Sequence, residues 1–246
     1  MRNLLLSLCF LCAAVTAKVT AGTNVFERDT IHTTAGDVEI TFIGHGTLML
    51  EWDGKTIHVD PFGKIADYSN LPTADLILIT HHHGDHMDPA AIEKISNDKT
   101  RIILTALCAE TLHGGTVMNN GDVRDVLGLK IEAVPAYNIE HMTPAGKPYH
   151  PKGEGNGYIL TIGKTRIYIA GDTENTPEMK SLRNIDVAFL PMNLPYTMTP
   201  EMVADAARAF KPRILYPYHY GETDPSLLLG LLKGVPGIDV RIRKMN

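Results

Sequence analysis

The sequence has few cysteines and no blocks of basic residues, and both facts limit the classes of protein to which it can belong. Three cysteines occur in 246 residues, and two of them, Cys9 and Cys12, lie within the first 17. Without that segment Cys108 remains alone, so the mature chain cannot form an internal disulfide and must be stabilised by burial of its core. The formal net charge is −5 and no run is rich in lysine or arginine, so binding of nucleic acid through its phosphates is not expected.

Low-complexity tracts and linkers rich in proline, glycine or serine are also absent. With 44% hydrophobic and 21% charged residues, the composition is that of a globular protein. Short apolar runs alternate with helix-like segments twice along the chain. We therefore predict one domain, residues 18–246, made of two halves that each combine a sheet with helices.

The first 17 residues have the pattern of a secretory signal peptide. Arg2 precedes an apolar core over residues 4–15, and the small residues Val15 and Ala17 fit a cleavage site. The apolar core is too short to cross about 30 Å of hydrocarbon, which argues against a membrane anchor. We predict cleavage before Lys18 and export to the periplasm or the exterior, with no stable membrane insertion afterwards.

Apolar runs bounded by glycine and aspartate predict the strands. These strands cover residues 38–44, 47–52, 55–60, 75–80, 101–105, 129–134, 157–163, 165–172, 185–191, 213–219 and 238–243. Helices are predicted over residues 89–96, 107–113, 199–210 and 225–234. Pro89 and Pro200 suit the first turn of two of them. His58 alternates with apolar Ile57 and Val59, so we expect it on the polar side of its strand.

A cluster of polar side chains directly follows one of these apolar runs, in the sequence DLILITHHHGDHMDP. Residues two apart at a strand end point the same way, so His81 and His83 can face one metal ion while His82 points elsewhere. The turn after the glycine can bring Asp85 and His86 to a second ion beside the first. Imidazole and carboxylate are common metal ligands, and the internal position argues against a purification tag. The spacing therefore predicts a metal site.

Two later strands also end in side chains that bind metals. The run RIYIAGD ends in Asp172, a carboxylate able to bridge two cations, and RILYPYH ends in His219. One such strand end carries little information, but three in one chain form a coherent set and predict a dinuclear site. Asp60, at the end of the third predicted strand, is a candidate to accept a hydrogen bond from a ligand imidazole and fix its orientation.

These motifs resemble those of the metallo-β-lactamase superfamily over nearly the whole mature chain. The similarity rests on HxHxDH at 81–86, GDT at 171–173 and the late His219. The triplets GHG at 44–46 and VDP at 59–61, with the segment IDVAFLP, resemble the branch that contains L-ascorbate-6-phosphate lactonase and related metal-dependent hydrolases. The resemblance implies an α/β fold, a four-layer αββα sandwich of two mixed sheets flanked by helices, with the metals at one edge.

The resemblance also implies roles for individual residues. It assigns a first ion to His81 and His83, a second ion to Asp85, His86 and His219, and a bridge between the ions to Asp172.

One further ligand of the first ion is left open by the sequence. Relatives of this branch often supply a histidine where the run KIEAVPAYN ends in Asn138. We favour His150 for this role, because the Pro-Lys-Gly-rich return directly after it could fix its position. His141, in the same loop, is the alternative, and if neither histidine serves, Asn138 or water completes the site.

A site of this kind predicts a hydrolase with two divalent ions, zinc by default and manganese or iron as alternatives. The hypothesis is that hydroxide bound to the ions attacks a small-molecule substrate, since no serine or cysteine nucleophile is evident. Asp85 would orient the hydroxide or take its proton. His45, between two glycines, would reach the same edge as a second catalytic group.

The bond cleaved, by branch resemblance, is a lactone or another carboxylic ester. The alternatives are a phosphodiesterase of phospholipase D type and a metal-binding or ligand-sensing protein without enzymatic activity. The sequence leaves the oligomeric state open.

Overall fold

Two seven-stranded sheets form the centre of the protein in a computed structural model that describes residues 26–245. The predicted signal peptide lies outside the described residues. Within residues 26–245, none of the helices has both the length and the apolar character needed to cross a membrane.

The first sheet holds its strands in chain order. They are β1 (Glu27–Thr33), β2 (Gly36–Gly44), β3 (Thr47–Trp52), β4 (Lys55–Val59), β5 (Leu76–Leu78), β6 (Arg101–Leu104) and β7 (Thr116–Val117). The second sheet is ordered from β14 to β8. Its strands are β8 (Val123–Val126), β9 (Leu129–Ala136), β10 (Gly155–Ile162), β11 (Thr165–Ile169), β12 (Val187–Pro191), β13 (Ile214–Tyr218) and β14 (Asp239–Val240). The α-helices are α1 (Pro89–Ile95), α2 (Ala106–Thr111), α3 (Pro177–Lys180), α4 (Pro200–Phe210) and α5 (Leu227–Leu231).

The strand directions determine where loop residues meet. In the first sheet, neighbours from β1 to β4 are antiparallel and those from β4 to β7 are parallel. In the second sheet, neighbours from β8 to β11 are antiparallel and those from β11 to β14 are parallel. Strands β2, β4 and β5 therefore share one direction, as do β9, β11 and β13. The carboxyl ends of each set lie at one edge of its sheet, where open α/β folds place their functional groups.

Burial on both faces explains the continuously apolar strands. Leu78 of β5 lies in the core between the sheets, whereas its neighbour Ile77 packs in a second cluster with Ile92 of α1. On the second sheet Tyr168 of β11 meets Phe210 of α4 edge to face, with ring centroids 6.2 Å apart. Helices thus cover the outer face of each sheet, and the predicted αββα sandwich of two mixed sheets is confirmed.

His58 is buried, so the expectation that it lies on a polar side of β4 is wrong. Its Nε2 donates a hydrogen bond to the carbonyl oxygen of Pro72 at 3.0 Å. The alternation argument fails here because both faces of this sheet are covered. Burial lowers the pKa of His58 to about 4, and the hydrogen bond to Pro72 opposes this only in part.

Substituting glutamine for His58 should reduce the loss of stability in acid. Above the ordinary pKa of 6.5 the imidazole is neutral in both states. As the pH falls from there towards about 4, the unfolded chain binds a proton that the buried ring does not. Between pH 7.5 and 5 this should cost the natural protein about 2 kcal/mol more than His58→Gln, whose amide can still donate to Pro72. Urea unfolding of both metal-free proteins measures the difference, and equal losses would contradict it.

Candidate metal centre

Strand ends deliver the polar side chains of the site to one edge of the two sheets. The residues that follow these strands are His45 (β2), Asp60 (β4), His81 (β5), Asn138 (β9), Asp172 (β11) and His219 (β13). The remaining site residues lie in the turn between β5 and α1 and in the loop between β9 and β10. Because the flanking strands are buried on both faces, the backbone that carries these groups is held firmly.

His81, His83 and His150 form a first group. One ring nitrogen of each lies within 4.8 Å of the others. His150 is therefore the histidine of its loop that the structure brings to this group. His141 lies instead against Glu174, with its Nδ1 2.8 Å from Oε1 of that carboxylate.

Asp85, His86 and His219 form a second group, and His45 lies with them inside the same 4.8 Å limit. The Nε2 atoms of His86 and His219 are 3.1 Å apart, and Oδ2 of Asp85 is 3.9 Å from each. Gly46 makes this close packing possible, since a Cβ there would come within 2.8 Å of Cε1 of His86. The glycine after His45 is thus required by the site itself.

Asp172 lies between the two groups and is buried. Its Oδ2 is 3.3 Å from Nε2 of His150 and 4.0 Å from Nε2 of His81. Its Oδ1 is 3.5 Å from Nε2 of both His86 and His219. One carboxylate oxygen therefore faces each group, which is the arrangement of a bridging ligand.

Hydrogen bonds fix the orientation of three of the imidazoles through the nitrogen that faces away from the centre. Nδ1 of His86 donates to Asp60 at 2.8 Å. Nδ1 of His81 donates to the hydroxyl of Thr80 at 3.0 Å, and that hydroxyl donates to the same Asp60 carboxylate at 2.6 Å. In the neutral form of each ring the proton is therefore on Nδ1, and the free Nε2 is directed at the centre. Asp60 has the orienting role expected from the sequence.

Asn138 holds the third imidazole and does not face the centre itself. Its Oδ1 accepts hydrogen bonds from Nδ1 and from the backbone N–H of His150, at 2.7 and 2.8 Å. Its Nδ2 donates to Oε1 of Glu174 at 3.0 Å. The same buried Glu174 carboxylate accepts the backbone N–H groups of residues 139, 140 and 141, at 2.6 to 2.7 Å. Glu174 thus anchors the loop that presents His150, a role that no sequence pattern indicates.

The geometry of these side chains fits metal ions. Among the described residues, Nε2 of His81 and Oδ1 of Asp172 are buried without a hydrogen-bond partner. Two imidazole nitrogens on one tetrahedral zinc, each bonded at 2.0–2.1 Å, lie about 3.3 Å apart. The 3.1 Å between His86 and His219 is close to that separation. Nitrogen and carboxylate oxygen donors without cysteine suit zinc, manganese or iron.

The protonation of the imidazoles near neutral pH differs between the two groups. Burial lowers the pKa of His81 well below its usual range, and burial lowers the pKa of His83 to about 4. Both rings are neutral near pH 7, the form that binds metals. Burial would lower the pKa of His86 as well, but the charges of Asp172 and Asp60 outweigh it and raise the pKa to about 9. A metal ion that binds His86 must therefore displace a proton.

His45 and Asp85 form the open side of the centre. Nε2 of His45 lies 2.9 Å from Oδ2 of Asp85, and their side chains are 20% and 39% exposed. Burial alone would raise the pKa of Asp85, but the hydrogen bond from His45 and the charges of His86 and His219 hold it below the usual range. Asp85 is therefore an ionised carboxylate at the point where solvent and substrate can approach.

Several residues near the centre lie outside both groups. In the run Tyr196-Thr197-Met198 only the tyrosine is exposed. Lys152 binds Glu178 at 2.7 Å and is not free to meet an anionic substrate. His82 is exposed and lines the cavity beside His81, outside both groups of ligands.

Comparison with known proteins agrees with this architecture. Residues 39–219 match the family described as "Beta-lactamase superfamily domain". A UPF0173 metal-dependent hydrolase from Pyrococcus abyssi is 34% identical over 201 residues, which cover 76% of this chain and 87% of that protein.

Two solved structures extend the comparison. A provisionally named metal-dependent hydrolase from Parabacteroides distasonis is 51% identical and has a TM-score of 0.86, covering 90% of this chain and 100% of that chain. Igni18, a metallo hydrolase from Ignicoccus hospitalis, is 26% identical with a TM-score of 0.68, over 85% of this chain and 96% of that chain. The family match and the relatives confirm the resemblance seen in the sequence: this chain belongs to the metallo-β-lactamase superfamily.

Proposed function

We propose that the protein hydrolyses a lactone or another carboxylic ester with two divalent metal ions, one at each group of ligands. Membership of the superfamily and relatives named as metal-dependent hydrolases support metal-dependent hydrolysis. The observation that carries the dinuclear proposal is Asp172, with one oxygen 3.3 Å from Nε2 of His150 and the other 3.5 Å from Nε2 of His86. Zinc is the expected ion, and manganese or iron would suit the same donors.

Two cations bound here would make hydroxide available from water near neutral pH and polarise the carbonyl oxygen of the substrate. Asp85 is suited to accept the proton of the attacking water, because it is ionised and stands at the exposed side of the centre. His45 fixes the orientation of that carboxylate through its hydrogen bond at 2.9 Å. Asp60, Thr80 and Asn138 hold the imidazoles in place, so they take part without touching the substrate.

The preference for an ester rests on the resemblance to the lactonase branch in GHG, VDP and IDVAFLP, and His45 and Asp60 of the two triplets lie at the centre. A phosphodiester is the second candidate, since the same pair of cations would stabilise a phosphoryl transition state. Against a purely structural metal site, Asp85 remains 39% exposed, whereas structural zinc sites are closed by four protein ligands.

A substrate panel tests the proposal. The protein loaded with zinc, manganese or iron should hydrolyse γ- or δ-lactones and aryl esters, with bis-p-nitrophenyl phosphate and a β-lactam as the comparison substrates. Faster turnover of the phosphodiester would favour the second candidate. No turnover of any substrate by a protein that binds two ions would favour the metal-binding alternative.

Replacing Glu174 with glutamine should weaken the first group selectively. The amide N–H group of glutamine would face backbone N–H donors of the loop, which have no acceptor there. Asn138 would then be held less firmly, and so would His150, which Asn138 orients. Loss of a supporting residue of this kind typically costs 10- to 100-fold in metal affinity. Titration of the metal-free protein with Zn²⁺ against a competing chelator measures both affinities, and we expect the affinity of the first group to fall much more than that of the second.

Glu178→Gln is the matched control for this substitution. Glu178 lies on α3, four residues along the chain, and pairs with Lys152 and the hydroxyl of Tyr137. The control should keep both zinc affinities of the natural protein. If Glu174→Gln also keeps both, the loop does not depend on its carboxylate anchor.

A further inference from the structure

Two loops frame the mouth of the metal centre and are joined to each other. The first runs from residue 138 to residue 150 and carries the imidazole of His150. The second follows β12 and carries Tyr196. Nδ2 of Asn138 donates to the carbonyl oxygen of Tyr196 at 2.9 Å, and the rings of Tyr149 and Tyr196 meet edge to face with centroids 5.0 Å apart. Tyr149 also lines the cavity beside His81 and His150, so the joined loops and the metal centre share a wall.

Four of the eight large apolar side chains that are exposed among the described residues lie on these loops. Ile139, Met142, Leu194 and Tyr196 are 44%, 40%, 42% and 44% exposed. Met142 pairs through its backbone with Pro148, the neighbour of Tyr149 in the same loop. We name these four residues the apolar rim. Exposed apolar side chains on two joined loops beside a candidate site are suited to bind an apolar group.

The charges near the cavity point in the same direction. Its lining is all within the described residues and includes no lysine or arginine, while Glu154 adds a carboxylate. The nearby Lys152 is occupied by Glu178 at 2.7 Å and by the hydroxyl of Tyr137 at 3.3 Å. Within this cavity, a phosphorylated or otherwise highly anionic substrate would find no lysine or arginine to bind.

The geometry points to a substrate with an apolar chain that lies on the rim while its carbonyl group is held at the metal centre. This inference rests on the proposed ester or lactone hydrolysis and narrows it to alkyl- or aryl-substituted substrates. The rim would then set chain-length preference, because each methylene group placed on it leaves water. A second copy of the chain is the competing occupant of such a surface, and the experiment below distinguishes it.

Binding of straight-chain carboxylates tests the inference without requiring turnover. Acetate, butyrate, hexanoate and octanoate share the head group of an ester product, and their affinities for the zinc-loaded protein are measured by calorimetry. Full burial of a methylene group raises affinity about fourfold. On a half-exposed rim each methylene should raise affinity roughly twofold, which gives a roughly 60-fold ratio between octanoate and acetate. Ile139→Ser and Tyr196→Ser should each reduce that ratio severalfold.

Leu229→Ser is the matched control, because Leu229 is also exposed, at 51%, but lies on α5. It should keep the ratio of the natural protein. Equal affinities along the series, or a ratio that Tyr196→Ser leaves intact, would overturn the inference. So would concentration-dependent dimerisation in sedimentation that Tyr196→Ser abolishes, since the rim would then be a subunit interface. If affinity rises with chain length but the protein cleaves no ester or lactone, the proposed reaction is contradicted. The apolar rim would still be the surface that binds the alkyl chain.

Discussion

Asp172→Ala should leave the protein with one metal ion or none and lower kcat/KM by at least roughly 10³-fold. Among the described residues, only this buried carboxylate has one oxygen facing the first group of ligands and the other oxygen facing the second. Without it, the second group loses an anionic donor, and the histidines of the first group remain as a weaker, isolated site. Elemental analysis of the dialysed protein gives the metal content, and the preferred substrate of the panel gives the rate.

Asp205→Ala is the control for this loss. Asp205 is an exposed carboxylate on α4 that pairs with Lys180, so its removal should leave two ions and full activity. An Asp172→Ala protein that keeps two ions per chain would show that the carboxylate does not bridge them.

Asp85→Asn should lower kcat by about 10²- to 10⁴-fold while the fold is kept. The amide oxygen can still accept the hydrogen bond from His45, but the side chain can no longer take a proton from water. Asp85 lies in a turn and is 39% exposed, so the substitution should change the unfolding midpoint little. Stopped-flow or steady-state kinetics measure kcat, and circular dichroism checks the fold. Turnover at the natural rate would remove Asp85 from the mechanism.

Asp98→Asn provides the comparison for Asp85→Asn. Asp98 lies in the exposed turn between α1 and β6, so the same change of charge should leave kcat as it is. A fall of equal size in both variants would indicate a general effect of charge rather than a proton transfer at the centre.

Most of this centre could be predicted because its ligands follow apolar strands. Strands covered on both faces appear in the sequence as short continuous hydrophobic runs. A cluster of polar residues at the end of such a run can be recognised from the sequence alone. His81, Asp172 and His219 are predictable in this way, and the same runs predict the two sheets. Because both faces of the sheet are covered, the alternation around His58 does not mark a polar face.

The contacts that lie far apart in sequence were harder to predict. The choice of His150 over His141 depends on Glu174, whose bonds to the loop span 33 to 36 residues. No local pattern marks a glutamate that will be buried against backbone N–H groups. The edge strands are hard to predict from the sequence for a different reason. β1, β7 and β8 are short or carry exposed polar residues, and the single-turn helix α3 has too few residues to show a period.

Asp60 supports both groups of ligands at once, directly through His86 and through Thr80 to His81. An ion that binds His86 draws electron density from the ring and strengthens its bond to Asp60, which leaves that carboxylate a weaker acceptor for Thr80. The occupancies of the two positions are then thermodynamically linked, and the linkage must be reciprocal. We therefore expect two unequal dissociation constants for zinc, each one dependent on whether the other position is filled.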